Sequence, residues 1–142
     1  MTYKLETDIH HIGEGLVACT LPKAEWTHAG HFAAAVWLLD HDIYDPFKEM
    51  PGFIRRYNLS VGTPNTDTEG YHETITLASL RAAKHILDSR TDGKALHSVV
   101  NRLMTSDYGK PTWILDYWTK EKLFSVYARK NWVEPDLQRL PF

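Results

Sequence analysis

The most apolar stretch of the chain runs from residue 24 to residue 40 and reads AEWTHAGHFAAAVWLLD. Its apolar side chains recur at spacings of three and four residues, so that Phe32, Ala35 and Leu39 fall on one stripe of a helix. Pro22 lies just before the stretch, and proline is well tolerated in the first turn of a helix. A helix this apolar must pack against the core of the protein. The stretch therefore predicts a central, buried helix.

Other segments show helical patterns, and none shows the alternation of apolar and polar residues that is typical of a strand. The clearest loop is residues 62–70, which read GTPNTDTEG. A further segment starts at Asp45-Pro46, but the Pro51-Gly52 pair interrupts it and leaves residues 53–61 as the better helix. The predicted helices and short segments are 7–18, 24–40, 53–61, 71–89, 94–105, 111–116 and 120–130.

These elements predict an all-α fold, a compact bundle of roughly five to seven helices. The 142 residues suit one domain that is large enough to bury a core. We therefore expect residues 1–142 to form a single helical domain with extended termini at 1–6 and 134–142.

The composition excludes several classes of protein. The chain is 43% hydrophobic and 24% charged with a net charge of −2, and it lacks the basic stripe that nucleic-acid-binding proteins usually show. No apolar stretch approaches the roughly 20 residues that span a bilayer, and the first residues do not resemble a secretion signal. Cys19 is the only cysteine, which rules out an internal disulfide framework. We expect a cytoplasmic protein that acts on a small molecule, and we leave a homodimer open.

Polar side chains occupy positions where the helical pattern places the core. His28 continues the apolar stripe of the 24–40 helix towards its N-terminal end. Glu25 lies three residues before His28 on the same predicted face, and His31 adjoins that face. Buried polar groups are costly unless they are paired or bound to something. The pattern therefore predicts that these three side chains point inward or into a cleft.

A second polar group occurs in the predicted helix at 71–89. His72 shares a face with Thr76 and Ser79, opposite the face that carries the charged side chains. Glu73 lies on the flank of that helix. We expect His72 to point inward at the first turn, towards the histidines of the 24–40 helix.

These residue types favour a metal site. His28 and His31 can share one metal ion, and His72 would supply a third nitrogen from across the bundle. Glu25 or Glu73 could complete the ligand shell. Imidazole and carboxylate ligands suit Fe, Zn, Mn or Ni. Open positions on such a metal would support hydrolytic or oxygenase-like chemistry.

A metal-free interpretation uses the same residues. A histidine held by a carboxylate transfers protons near neutral pH, so Glu73 or Glu25 would act with His72 as a catalytic pair. Aromatic walls and an arginine could hold the substrate. The candidate substrate-binding residues are Arg56, Tyr57, Tyr71 and Trp26.

The motifs also resemble those of a family of small, uncharacterised bacterial helical proteins, over roughly residues 15–137. The resemblance implies that the three histidines form a set, but it brings no activity. The matching elements are the Leu21-Pro22 break, Glu25-Trp26-Thr27-His28-x-x-His31, Tyr71-His72-Glu73-Thr74-Ile75-Thr76, Ala128-Arg129-Lys130 and Val133-Glu134-Pro135-Asp136.

Three functions are therefore compatible with the sequence. The first is a metal-binding helical enzyme that acts on a small molecule. The second is a metal-free acid–base enzyme, such as an isomerase, cyclase or lyase. The third is a non-catalytic module that binds a small molecule.

Overall fold

The computed structural model describes residues 2–91, 93 and 95–142. In that part of the chain there are seven α-helices and no strand, which confirms the all-α prediction. The helices are α1 (Glu6–Ala18), α2 (His28–Asp40), α3 (Pro46–Ser60), α4 (Glu73–Asp88), α5 (Leu96–Thr105), α6 (Lys120–Leu123) and α7 (Val126–Lys130). Short 3₁₀ turns occupy Lys23–Glu25, Asp107–Gly109 and Trp113–Asp116.

Helix α2 lies at the centre of the bundle, as its composition predicts. Every residue from Phe32 to Leu38 is buried, and the helix contacts α1, α3, α4 and α5. At Gly13 of helix α1, an added Cβ would lie 2.2 Å from the indole ring of Trp37 on α2. The absence of a side chain at Gly13 therefore lets the two helices pack together.

The predicted start of α2 is wrong by four residues. Residues Lys23–Glu25 form a 3₁₀ turn, and α2 begins at His28. Thr27 is the N-cap residue, and its hydroxyl oxygen accepts a hydrogen bond from the backbone N–H of Gly30 at 3.1 Å. A threonine side chain at the N-cap satisfies one of the free N–H groups of the first turn. Thr27 therefore starts the helix after the glutamate.

Helix α3 is continuous, so the predicted split at Pro51-Gly52 is wrong. Pro51 lies early in the helix, where it removes one backbone hydrogen bond. Met50, Pro51 and Ile54 are buried against the rest of the bundle. Tertiary packing supplies most of the stability of a helix in a protein, and here it outweighs the lost bond.

The C-terminal third consists of short elements. The helix predicted at 120–130 is two helices, because Ser125 caps α7 by accepting the N–H of Ala128 at 3.1 Å. The helix predicted at 94–105 corresponds to α5, which begins at Leu96. Its predicted first residue, Lys94, lies outside the described residues. Residues 134–142 form no helix.

One residue of this tail, Asp136, docks on the N-cap of α6. Its carboxylate accepts hydrogen bonds from the backbone N–H of Thr119 at 2.8 Å and from the Thr119 hydroxyl at 2.7 Å. These two bonds hold the tail beside α6. No helix within residues 2–91, 93 and 95–142 has the length and apolar character needed to cross a bilayer.

Candidate functional site

A cavity of about 450 Å³ lies between α2, α3, α4 and the segment at 111–115. Most of its wall is apolar, with Phe32 and Ile54 on one side and Trp113 on the other. Cavities of this volume that combine apolar walls with a few polar groups are typical small-molecule sites. The polar side chains in the wall are Thr27, His28, His31, Thr76, Ser79 and Thr112.

His28, the first residue of α2, is held in one tautomer. Its Nε2 lies 2.7 Å from the carbonyl oxygen of Tyr108, in the 3₁₀ turn that follows α5. A carbonyl oxygen only accepts hydrogen bonds, so Nε2–H is the donor. In the neutral ring Nδ1 then carries a lone pair.

His31, one turn later, is held in the opposite tautomer. Its Nδ1–H donates to the carbonyl oxygen of Thr27 at 2.7 Å, which leaves the lone pair on Nε2. The indole of Trp26 lies over the imidazole, with ring centroids 3.8 Å apart and planes inclined by 31°. Burial lowers the pKa of His31 to about 4, and the neighbouring His28 acts in the same direction, although the bond to Thr27 opposes both. His31 is therefore neutral at neutral pH.

The second nitrogen of each ring is free. Nδ1 of His28 and Nε2 of His31 form no hydrogen bond with any part of the chain that the structure describes. In the same part, no side-chain nitrogen or oxygen is both sealed from solvent and without a partner. Each free nitrogen must therefore reach open space, and the cavity is the space that both rings line.

His72 serves the fold, and it does not line the cavity. It is the N-cap of α4, and its Nδ1 accepts the backbone N–H of Ile75 at 3.1 Å. Its Nε2–H donates to the carbonyl oxygen of Leu123 at 2.8 Å. The ring is buried, and burial lowers its pKa. His72 thus joins the start of α4 to the end of α6 and has no nitrogen left for a ligand.

The structure does not bring the three predicted metal ligands together. Within the described ranges, no group of three or more His, Cys, Asp or Glu side chains has an arrangement that could hold a metal ion. Both nitrogens of His72 are bonded to the main chain, whereas His28 and His31 share the cavity. A metal ion held by His28 and His31 alone stays a prediction.

The two predicted catalytic carboxylates lie elsewhere. Because α2 begins at His28, Glu25 does not share a helical face with it; its Oε1 instead lies 2.9 Å from Nε2 of His11 on α1. Glu73 accepts a hydrogen bond from the hydroxyl of Tyr71. Neither glutamate lines the cavity. The predicted pairing of His72 with one of these carboxylates is therefore wrong, because both nitrogens of His72 bond the main chain.

Of the four predicted substrate-binding residues, only Trp26 lines the cavity. Tyr57 is fully buried, and its hydroxyl donates to a main-chain carbonyl in the α1–α2 connection at 2.8 Å. The guanidinium of Arg56 donates to a carbonyl of α1 at 2.7 Å. The Cζ atom of Arg55 lies over the ring of Tyr71, 4.3 Å from the centroid of that ring. These three side chains stabilise the fold around the cavity.

Two features of the cavity carry no clear signal in the sequence. Thr112 belongs to a short segment without helical periodicity, so no pattern placed it near α2, although the aromatic ring of its neighbour Trp113 is a candidate wall on residue type alone. Thr76 and Ser79 gave a signal, because both share the inward face of α4. The carbonyl of Tyr108 gave none, since every residue carries the same backbone group.

Comparisons with protein-family models, with curated proteins and with solved structures give no match for this chain. The resemblance to small bacterial helical proteins therefore stays a prediction from the motifs. Any functional conclusion depends on the cavity and its side chains.

Proposed function

We propose that this protein binds a small, largely apolar molecule in the cavity beside α2, and that His28 and His31 hydrogen-bond to the polar end of that molecule. The observation that carries this proposal is the pair of free ring nitrogens. Each histidine donates one N–H to a main-chain carbonyl and leaves its other nitrogen without a partner in the described part of the chain, and both rings line the same apolar cavity. Binding sites combine a large apolar surface with a few fixed polar groups in this way.

The apolar wall supplies affinity, and the histidines supply orientation. Removing apolar surface from water is the main favourable contribution to such binding. Phe32, Ile54 and Trp113 offer that surface from three different elements. The stacked Trp26 covers one face of His31 and keeps its ring in a fixed position.

The experiment measures binding of naphthalene by the quenching of tryptophan fluorescence, since Trp26 and Trp113 both lie in the wall. Ser79→Phe places a large ring inside the cavity. Ser98→Phe is the matched control, because Ser98 is exposed on α5 and does not line this cavity. We expect the wild type and the control to bind, and the folded Ser79→Phe variant to lose binding at least ten-fold.

Two results contradict the proposal. One is an absence of saturable binding to the wild-type protein. The other is an affinity of Ser79→Phe, with an unchanged circular dichroism spectrum, equal to that of the wild type. The Ser98→Phe variant shows that an added phenyl group alone does not disturb the measurement.

A metal-dependent reaction is the second candidate function, and the same tautomers favour it. Metal-binding histidines usually donate their other N–H to a carbonyl or carboxylate, as His28 and His31 do. A metal ion here would have two protein ligands, with substrate or water in the other positions. Elemental analysis of untagged protein tests it: stoichiometric metal that is lost in His31→Phe supports this candidate, and metal-free protein that binds naphthalene refutes it.

Proton transfer by His31 is less favoured. A general base works best when its pKa lies near the working pH. The pKa of His31, about 4, makes the ring a hydrogen-bond acceptor and a weak base at neutral pH.

A further inference from the structure

The charge of the cavity wall limits the ligands that it accepts. No Asp, Glu, Lys or Arg occurs among the described residues that line it. Moving an ion from water into an apolar cavity is costly unless an opposite charge meets it there. A carboxylate or phosphate would meet two imidazoles instead, and His31 is neutral because burial lowers its pKa to about 4. The wall therefore disfavours anions.

The histidines also determine which polar group the ligand presents. Neither His28 nor His31 can turn its N–H towards the ligand without breaking its bond to a main-chain carbonyl of Tyr108 or Thr27. For His28 this would leave the carbonyl oxygen of Tyr108 without its donor and facing a nitrogen lone pair, which costs on the order of 1–3 kcal/mol. The carbonyl of Thr27 would keep the backbone N–H of His31, but it too would face a nitrogen lone pair. The free nitrogens consequently act as acceptors, and they complement a donor.

The other polar groups of the wall do not reverse this preference. Thr76 and Ser79 carry hydroxyl groups, which rotate and either donate or accept. They adapt to a hydroxyl or N–H group as readily as to a carbonyl. The two imidazoles are the fixed acceptors of the wall, whereas the indole N–H groups of Trp26 and Trp113 only donate and complement the oxygen of a hydroxyl or amide group.

We infer that the ligand of this cavity is an uncharged apolar molecule that carries a hydroxyl or N–H group, and that this group donates a hydrogen bond to His31 or His28. The inference rests on the proposed function, since it names the chemical class that the same cavity binds. It separates neutral alcohols, phenols and amides from carboxylates, phosphates and purely acceptor molecules such as ethers.

The test uses four probes that share one ring system: naphthalene, 2-naphthol, 2-methoxynaphthalene and 2-naphthoate. Binding is measured at pH 7.5 by isothermal titration calorimetry on the full-length protein. We expect 2-naphthol to bind about five-fold more tightly than naphthalene and 2-methoxynaphthalene, the ratio that corresponds to one hydrogen bond. We expect 2-naphthoate to bind at least ten-fold more weakly than naphthalene.

Variants identify the acceptor. His31→Phe keeps an aromatic ring under Trp26 and leaves the carbonyl of Thr27 bonded to the backbone N–H of residue 31. His28→Leu, which is made if His31→Phe has no effect, removes the second acceptor and supplies no other. The matched control is His85→Phe, because His85 is exposed on α4 and outside the cavity. We expect the preference for 2-naphthol to disappear in one of the first two variants and to persist in the control.

The outcomes distinguish the two proposals. If no probe binds, the proposed function fails and the inference fails with it. If all four probes bind with equal affinity, or if 2-naphthoate binds most tightly, the cavity binds ligands but the inference about their class is overturned. A preference for 2-naphthol that survives in both His31→Phe and His28→Leu also overturns it, because the acceptor then lies elsewhere.

Discussion

The pKa of His31 makes a quantitative prediction about stability and pH. Burial lowers this pKa to about 4 in the folded protein, whereas an imidazole in an unfolded chain has a pKa of about 6.5. As the pH falls below about 6.5, the unfolded state therefore takes up a proton before the folded state does. The contribution of His31 to stability is complete above that pH and is lost progressively as the pH approaches 4.

The magnitude follows from the difference between the two pKa values. One pKa unit corresponds to about 1.4 kcal/mol, so the full difference between pKa values of about 6.5 and about 4 corresponds to about 3.5 kcal/mol, of which about 3 kcal/mol is lost between pH 7 and pH 4. This figure is the expected difference between the loss of stability of the wild type and that of His31→Phe when the pH falls from 7 to 4. The variant keeps an aromatic ring at that position but cannot take up the proton.

The assay is urea unfolding followed by circular dichroism at several pH values, with both proteins measured in parallel. All other titratable groups are common to the two proteins, so the difference between the two curves reports on His31. Proton NMR of the imidazole gives its pKa directly. Curves that run parallel from pH 7 to 4, together with a His31 pKa near 6.5, would refute the argument that burial keeps this ring neutral.

Three substitutions, with Gly62→Ala as a control for one of them, test contacts that hold the fold together by urea unfolding at pH 7.5. His72→Ala removes the cap of α4 and the donor to the carbonyl of Leu123, and we expect the free energy of unfolding to fall by about 2–4 kcal/mol. A decrease under about 0.5 kcal/mol would contradict the role of His72 in joining α4 to α6. Gly70→Ala places a Cβ 2.3 Å from a backbone oxygen at a φ of +81°, and we expect it to lower the free energy of unfolding by at least about 3 kcal/mol. Gly62→Ala has a similar φ of +80° but open space around the added Cβ, and we expect a decrease of about 1 kcal/mol. Thr74→Val removes a hydroxyl that lies 2.7 and 2.8 Å from two carbonyl oxygens at the end of α7, and we expect about 1–3 kcal/mol; equal stability would show that these contacts contribute nothing.

The fold was predictable where one periodic pattern dominated a segment. The buried surface of α2 follows from its unbroken apolar composition, and α1 begins within one residue of its predicted start. The errors occur where two local preferences compete. At Thr27 the capping hydroxyl overrides the periodicity that placed Glu25 in the helix, and at Pro51 burial overrides the helix-breaking effect of proline.

The candidate site was predictable only in part, for a different reason. The spacing of His28 and His31 placed both near the core, and both line the cavity. Helical periodicity also placed His72 inward correctly, but it could not reveal that its partner is the carbonyl of Leu123, 51 residues away. A main-chain carbonyl has no signature in the sequence. Only the structure therefore shows whether a buried histidine joins two helices or is available to a ligand.

The main-chain anchoring of the two cavity histidines has a consequence for how this site tolerates mutation. The oxygens that fix their tautomers belong to the backbone of Thr27 and Tyr108, so replacing either side chain leaves the acceptor in place. A histidine oriented by an aspartate loses its tautomer with one substitution, whereas these rings keep theirs for as long as the local chain path is retained. The other side chains of the cavity wall can therefore be substituted, by evolution or by design, while the two imidazoles keep their tautomers.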